Sequence, residues 1–505
     1  MVSSRRSSEV RRLALSLLQP GFVGTTPPDW VLRDIQDGLR SVVLFTRNIE
    51  SAEQVAALTE RLRAENPELV VAIDEESGDV TRIESATGSS RPGNFALGHV
   101  DDTELTAQVA RDLGRDLRAA GVTLNYAPSV DVNSNPDNPV IGVRSFGTDP
   151  EVVSRHAAAW VDGLQSSGVA ACAKHFPGHG DVAVDSHHGL PSYDADRAEI
   201  AAHALPPFLA ALGAGARAVM SAHLLVPAWD PEVPATLSRR VLGDLLRGEL
   251  GFDGLIVTDA IEMAAVTERY GIEGASVRAV AAGADALCVG GENADEQTPA
   301  RIADALVDAV ASGRLTEERL AEAAARVAEF ADWSTRLART PAPPAENIES
   351  IGLTGARRAI RLTGAAQSAL PLADSPHVVE LAPLTHLAIA QETPWGVADS
   401  LLRHLPSTTS VRVRQEDLGS AATADVCGLT QAKGRPLVVV VRDAARHSWM
   451  SRALGELTHA RPDAIVVEMG LPGELPGAVG ICTHGASTAS GTAVTELLVG
   501  ARAAG

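Results

Sequence analysis

Short apolar runs and longer stretches with helical spacing alternate along the first 340 residues. Apolar runs bounded by glycine, serine or charged residues read as buried strands. They fall at 21–24, 41–45, 69–73, 122–127, 169–174, 216–221, 254–258 and 284–289. Between them, amphipathic stretches at 103–120, 150–167, 197–212, 237–250 and 299–312 have apolar residues three and four apart, the spacing of one helix face. Strand–helix alternation implies parallel strands joined by right-handed crossovers. Eight such units predict an α/β chain that opens with a (β/α)8 TIM-type barrel. A doubly wound open sheet has the same alternation, and periodicity alone does not separate the two.

After Trp333 the texture changes. Thr340-Pro341-Ala342-Pro343-Pro344-Ala345 reads as a semi-rigid linker. The expected division is a barrel domain over 1–338, a proline-rich linker over 339–350 and a smaller α/β sandwich domain over 351–505. Strands of the second domain are expected at 378–381, 386–390, 410–413, 436–441 and 464–468. Its titratable residues are scattered, so a scaffold or interface role is expected. The Ser/Thr-rich stretch 485–491 lacks the lysine of a phosphate loop and reads as a loop and helix cap.

Composition narrows the function classes. The 505 residues are 45% hydrophobic and 21% charged, enough for sizeable cores. A net charge of −21 disfavours nucleic acid or an anionic membrane as partner, because their phosphates would be repelled. Four cysteines stand singly at 172, 288, 427 and 482, and imply no disulfide framework. Arg5, Arg6, Arg11 and Arg12 precede an apolar stretch, Leu13–Leu18, that Gln19-Pro20 cuts short. That stretch is too short for a signal peptide, and no apolar run approaches a membrane span. A cytoplasmic location is the expectation.

The chemistry concentrates where predicted strands end, the position α/β folds give their active sites. The third ends in Asp74-Glu75-Glu76, with Arg82 nearby. The fourth is followed by Asp131-Val132-Asn133 and then Arg144. The fifth ends at Lys174-His175, the sixth at Ser221-Ala222-His223 and the seventh at Asp259. Residues 174–188 are the densest segment, with four histidines, Lys174, Asp181 and Asp185.

Asp259 is the best candidate nucleophile, because a carboxylate beside a sugar ring can attack or stabilise the anomeric carbon. Its competing role is to cap a helix starting near Ala260. Asp185 lies two residues before His187, so an extended loop would point both side chains one way. A carboxylate-oriented imidazole can give and take a proton. Spacing does not choose between His187 and His188. A metal site is the rival reading of this loop, but His175 and His179 do not form HExxH, and Pro177-Gly178 opposes a helix that would align them.

At these residues the chain resembles the β-N-acetylglucosaminidases of glycoside hydrolase family 3. The resemblance is carried by Lys174-His175-Phe176-Pro177-Gly178-His179-Gly180 through Asp185-Ser186-His187, by residues 135–147, and by Gly251-Phe252-Asp253-Gly254-Leu255-Ile256-Val257-Thr258-Asp259. It implies a retaining exo-glycosidase for terminal β-linked N-acetylglucosamine, with cell-wall-derived sugars as natural substrates. It implies Asp259 as nucleophile, His187 as acid/base and Asp185 as its partner. Asp74, Arg82, Arg144, Lys174 and His175 match the family's sugar-binding positions. The resemblance implies no metal and no cofactor. One segment departs from the pattern: Ser77 stands where the family has glycine, so a backbone requiring positive φ would be strained there. Two alternatives accompany this reading. One is phosphorolysis, with inorganic phosphate as acceptor, since a neutral histidine base would not repel it. The other is a non-catalytic sugar-binding protein, which is expected to lack Asp259 or His187.

Overall fold

Strands buried on both faces are apolar at nearly every position, and such strands build both parts of this molecule. The computed structural model describes residues 2–187, 189–341, 350–365, 369–384, 388–419 and 422–500. Most of the expected linker, residues 342–349, lies outside the described residues, as does His188. Contacts divide the chain into two compact units. Met1–Glu76, Thr106–Ile141 and Gly147–Asn347 form one; Ser77–Leu105, Gly142–Phe146 and Ile348–Gly505 form the other. No helix among the described residues is long and apolar enough to cross a membrane.

The first unit contains β1 (Leu18–Pro20), β2 (Ser41–Leu44), β3 (Val70–Ile73), β4 (Leu124–Asn125), β5 (Ala170–Phe176), β6 (Ala218–Ser221), β7 (Leu255–Thr258) and β8 (Leu287–Val289). Strands β2 to β7 form one parallel sheet in sequential order, and β8 pairs with β1 in a separate parallel ladder. A parallel bridge between Val257 and Ala286 links β7 to the approach to β8. The sequential order from β2 to β7 has no switch point, which removes the doubly wound alternative for this unit. The sheet curls. Alternate residues of seven strands, among them Val43, Ala72, Tyr126, Cys172, Met220, Val257 and Cys288, meet in one cluster with Val327 and Phe330 of the helix Glu317–Arg339. The intervening positions Val71, Ala171, Val219 and Ile256 are buried as well, which explains the unbroken apolar runs.

Two elements differ from expectation. The first strand is Leu18–Pro20 and not 21–24, because these three residues lie in register with Leu287–Val289. The helix expected over 197–212 divides at Ala204, where Pro206 and Pro207 fit the free first turn of a new helix, Leu205–Gly213.

The second unit has a six-stranded sheet of β9 (Arg361–Gly364), β10 (His377–Leu381), β11 (Thr409–Val413), β12 (Leu437–Val441), β13 (Ile465–Glu468) and β14 (Val479–Cys482). Its order is β11-β10-β12-β13-β14-β9, all parallel except β9. Val379, Val439, Val441 and Val466 pack on the helix Ser448–Ala460 through Met450, Leu454 and Leu457. Their neighbours Val378, Val438, Val440 and Val467 pack on the other face against Leu401, Val494 and Leu498. The 485–491 stretch supplies Ser487, whose side chain caps the helix Thr488–Val499. No strand forms over 388–390, which turn, and 386–387 lie outside the described residues. Strands β9 and β14 were not expected. All four β9 residues are exposed, and glycine interrupts β14, so neither has a clear apolar run.

Two segments from early in the chain belong to this second unit, so the chain passes between units five times instead of once. Asp79 anchors the first segment: it ion-pairs with buried Arg442 and accepts the Ala486 amide at 2.8 Å. Ser77 has φ +65°, the left-handed conformation that glycine adopts without strain, and its hydroxyl donates to Pro92 O at 3.1 Å. His99 stacks on His484 with ring centroids 3.7 Å apart. Asn94 Nδ2 donates to Arg144 O at 2.7 Å and ties in the second segment.

Removing one partner of a buried ion pair leaves the other charge uncompensated. Asp79→Ala is expected to cost about 3–5 kcal/mol, read as an earlier urea transition of the second unit. An unchanged midpoint would show that Asp79 does not anchor residues 77–105. A second expectation concerns acid. Burial lowers the pKa of His484 to about 4, with His99 adding to the effect. The unfolded histidine takes a proton near its usual pKa while the folded one resists. Stability from this site is therefore complete above about pH 6.5 and is lost as the pH falls towards 4. The loss is about 2 kcal/mol after allowance for partial solvent screening. His484→Gln should flatten that part of the stability–pH curve.

Candidate active site

Asp74, Asp131, Lys174, His175, His223 and Asp259 lie at or just past the carboxyl ends of the first unit's strands. After β3, Asp74 meets the Lys174 ammonium of β5 in an ion pair, and Glu76 Oε1 lies 2.6 Å from the same nitrogen. Lys174 is almost fully buried, so two carboxylates compensate one desolvated cation. Lys174 and His175 are consecutive, yet both side chains are buried here. The β5–β6 register shifts between Ala173 and Phe176, which breaks the strict alternation of a strand.

Asp131, after β4, is fully buried and organises the next layer. Its Oδ2 accepts His175 Nδ1–H at 2.7 Å and the Ser129 hydroxyl at 3.0 Å. Its Oδ1 accepts the amides of His179 at 2.7 Å and His175 at 3.2 Å. Burial pushes the Asp131 pKa up, but the field of His175 and these donors outweigh it and hold the group below the usual carboxylate range. A carboxylate only accepts, so Nδ1 of His175 carries a proton.

The loop after β5 is shaped by glycine and tied down by His179. Gly178 has φ +129°, and a Cβ on Gly180 would collide with the Val132 carbonyl. The His179 ring contacts Ser186 Oγ at 3.2 Å through Nε2. Burial lowers its pKa to about 4, with help from neighbouring His175. Ser186 sits between the expected pair. His187 donates both its amide, at 2.9 Å, and its Nδ1–H, at 2.7 Å, to Asp185 Oδ1. The pair meets in a tight turn and not in the extended loop expected from spacing.

Asp259 follows β7 and keeps part of its surface accessible. Its Oδ1 accepts the Ala260 amide at 2.8 Å. The next helix, Ala264–Ala282, starts with Met263 as its cap, so Asp259 does not serve as a helix cap. Desolvation pushes its pKa up, but His175, His223 and His187, in that order, and the Ala260 amide pull it down to about 2. The carboxylate is therefore an anion facing imidazoles.

Of the sequence-predicted residues, Asp74, Lys174, His175, Asp185, His187 and Asp259 belong to the first unit, and Arg82 and Arg144 to the second. Arg82 donates to Ala388 O at 2.8 Å within that unit. Sequence reasoning did not assign roles to Asp131, Glu76 and His223. The signal was present in each, a polar residue at or just past the end of an apolar strand.

The pattern of the glycosyl hydrolase family 3 N-terminal domain matches residues 31–330. Beta-hexosaminidase A of Pseudoalteromonas piscicida is 34% identical over 388 residues, covering 71% of this chain and 64% of that protein. A beta-hexosaminidase of Chromobacterium violaceum is 39% identical over 311 residues, covering 59% of this chain and 83% of its own length. Among solved structures, the glycoside hydrolase family 3 beta-N-acetylglucosaminidase of Paenibacillus sp. str. FPU-7 is 32% identical, with a TM-score of 0.84 over 97% of this chain and 96% of that one. With the domain pattern matching well over half of the chain and these relatives aligned with it, the chain belongs to glycosyl hydrolase family 3, a family of glycoside-cleaving enzymes.

Proposed function

We propose that this chain is a retaining exo-glycosidase that releases terminal, non-reducing β-linked N-acetylglucosamine through a covalent ester on Asp259. The observation that carries the reading is the Asp259 carboxylate at the end of β7, accepting the Ala260 amide, in the same unit as His187, whose Nδ1 is held by Asp185. Asp259 attacks C1 of the sugar. The His187 imidazolium, its charge compensated by Asp185, gives the Nε2 proton to the departing oxygen, and the C1–O bond breaks. The neutral ring then takes a proton from water, whose oxygen attacks C1 and frees Asp259.

Asp74, Lys174 and His175 are the proposed sugar contacts of the first unit. The linked ion pairs of Asp74, Glu76 and Lys174 fix hydrogen-bonding groups in advance, which suits a ring rich in hydroxyls. Arg82 and Arg144 are proposed sugar contacts on the family's pattern, as are cell-wall-derived sugars as substrates. The catalytic unit is read as a closed (β/α)8 barrel. The sequential order of β2 to β7, the β8–β1 ladder and the Val257–Ala286 bridge support that reading.

Asp259→Ala should lower turnover of an aryl β-N-acetylglucosaminide by about 1,000-fold or more. Near-normal turnover would overturn the nucleophile assignment. In the same assay, the wild-type product should remain free N-acetylglucosamine when millimolar phosphate is added; sugar 1-phosphate would replace hydrolysis by phosphorolysis. The His187 role predicts dependence on the leaving group. His187→Ala should slow an alkyl glycoside by about 100- to 10,000-fold in bond cleavage, and an activated aryl glycoside far less. Equal losses on both would remove His187 as the acid.

A further inference from the structure

His223 lies just beyond β6, is fully buried, and is not a group that the proposed reaction uses. Its two nitrogens are both engaged: Nε2 lies 3.0 Å from the Ala260 carbonyl, and Nδ1 lies 2.9 Å from Thr236 Oγ1. A carbonyl can only accept, so Nε2 carries a proton. Burial lowers the His223 pKa in spite of the pull of Asp259, so the ring is neutral and Nδ1 presents a lone pair. Thr236 Oγ1 has one proton, and Nδ1 shares it with a second acceptor, the Ala222 carbonyl. The Ser221 hydroxyl, 2.9 Å from Thr236 Oγ1, supplies a proton to that oxygen in turn. The same Thr236 hydroxyl donates to the Ala222 carbonyl at 2.8 Å, which also accepts the Thr236 amide at 3.3 Å.

Ala260 is the residue whose amide donates to Asp259 Oδ1. The Asp259 amide itself donates to Ser221 O at 3.1 Å. The end of β6 therefore grips the nucleophile's backbone on both sides, through Ser221 before the side chain and His223 after it. We propose that His223 is a positioning residue: its Nε2–H clamps the Ala260 carbonyl, and so fixes the amide that aims the Asp259 carboxylate. This inference rests on the proposal that Asp259 is the nucleophile. A neutral clamp also suits the chemistry. Asp259 loses its charge when the ester forms, and a dipole behind it forfeits less than a cation would.

The test is the rate at which a slow fluorinated N-acetylglucosaminyl donor labels Asp259, read by peptide mass, together with KM on an aryl glycoside. His223→Phe removes the donor and should slow labelling about 100-fold, as expected for a misplaced reacting group, with KM changed less than about threefold. His223→Gln keeps an N–H within reach and should recover labelling to within about tenfold of wild type. Thr236→Val, which strips the donor from Nδ1, should slow labelling about tenfold. Labelling of folded His223→Phe at the wild-type rate would overturn the inference. Gln as slow as Phe would also overturn it, because charge or proton transfer and not the N–H bond would then be the effective property. If His223→Phe does not fold, wild-type labelling in Thr236→Val overturns the inference, and slow labelling there with recovery in His223→Gln supports it. Absence of wild-type label on Asp259 is a separate result that would overturn the nucleophile assignment itself.

Discussion

The candidate site depends on one buried carboxylate. Asp131 has no exposed surface, and an ion in that position persists only if its lone pairs are filled. Among the donors that fill them are the Ser129 hydroxyl, the His175 amide and ring, and the His179 amide. Each bond is charge-assisted, so the set is stiff as well as stable. Three pieces of chain thereby share one anchor: the turn after β4, the end of β5 and the start of the loop that follows. Through His179 and Ser186 the same anchor extends to the residues on either side of Ser186, which are Asp185 and His187. The Asp185–His187 pair inherits its order from a residue more than fifty positions earlier in sequence.

A second constraint is how an anion is kept ionised without being neutralised. Lys174, the cation of this rim, is committed to Asp74 and Glu76. The pull on Asp259, against its desolvation, comes instead from His175, His187 and the Ala260 amide. A lysine or arginine would hold the carboxylate in a strong ion pair, and in the proposed reaction that attraction would have to be given up as the ester forms.

Much of this was legible along the chain. Strands β2 to β8 were readable because burial on both faces leaves long apolar runs, and the rim residues because a charge directly after such a run has few innocent explanations. The Asp185–His187 pair was readable from spacing, although the turn that joins them was not, since one aspartate oxygen serves both the backbone and the ring. The partnership of Asp131 with His175 was hidden, because pairing across strands is set by register, which no local pattern encodes. Strand β9 was hidden for the opposite reason: an exposed, antiparallel edge has no apolar signature. The membership of 77–105 in the second unit was also invisible, for it depends on Asp79 finding Arg442 more than 350 residues away.

That long-range pairing bears on how the molecule is made. Chains emerge from the ribosome from the amino end and fold largely in that order. The sheet of the first unit can assemble once β8 has appeared, but two of its connecting segments have partners in the last third of the chain. The stretch holding Ser77, Asp79 and Arg82 must wait through the synthesis of more than 350 residues before Arg442 and Ala486 exist to receive it. During that interval the strands can be paired while these connections are still unmoored. Activity in a nascent or truncated chain is therefore a separate question from whether its barrel-like half has folded.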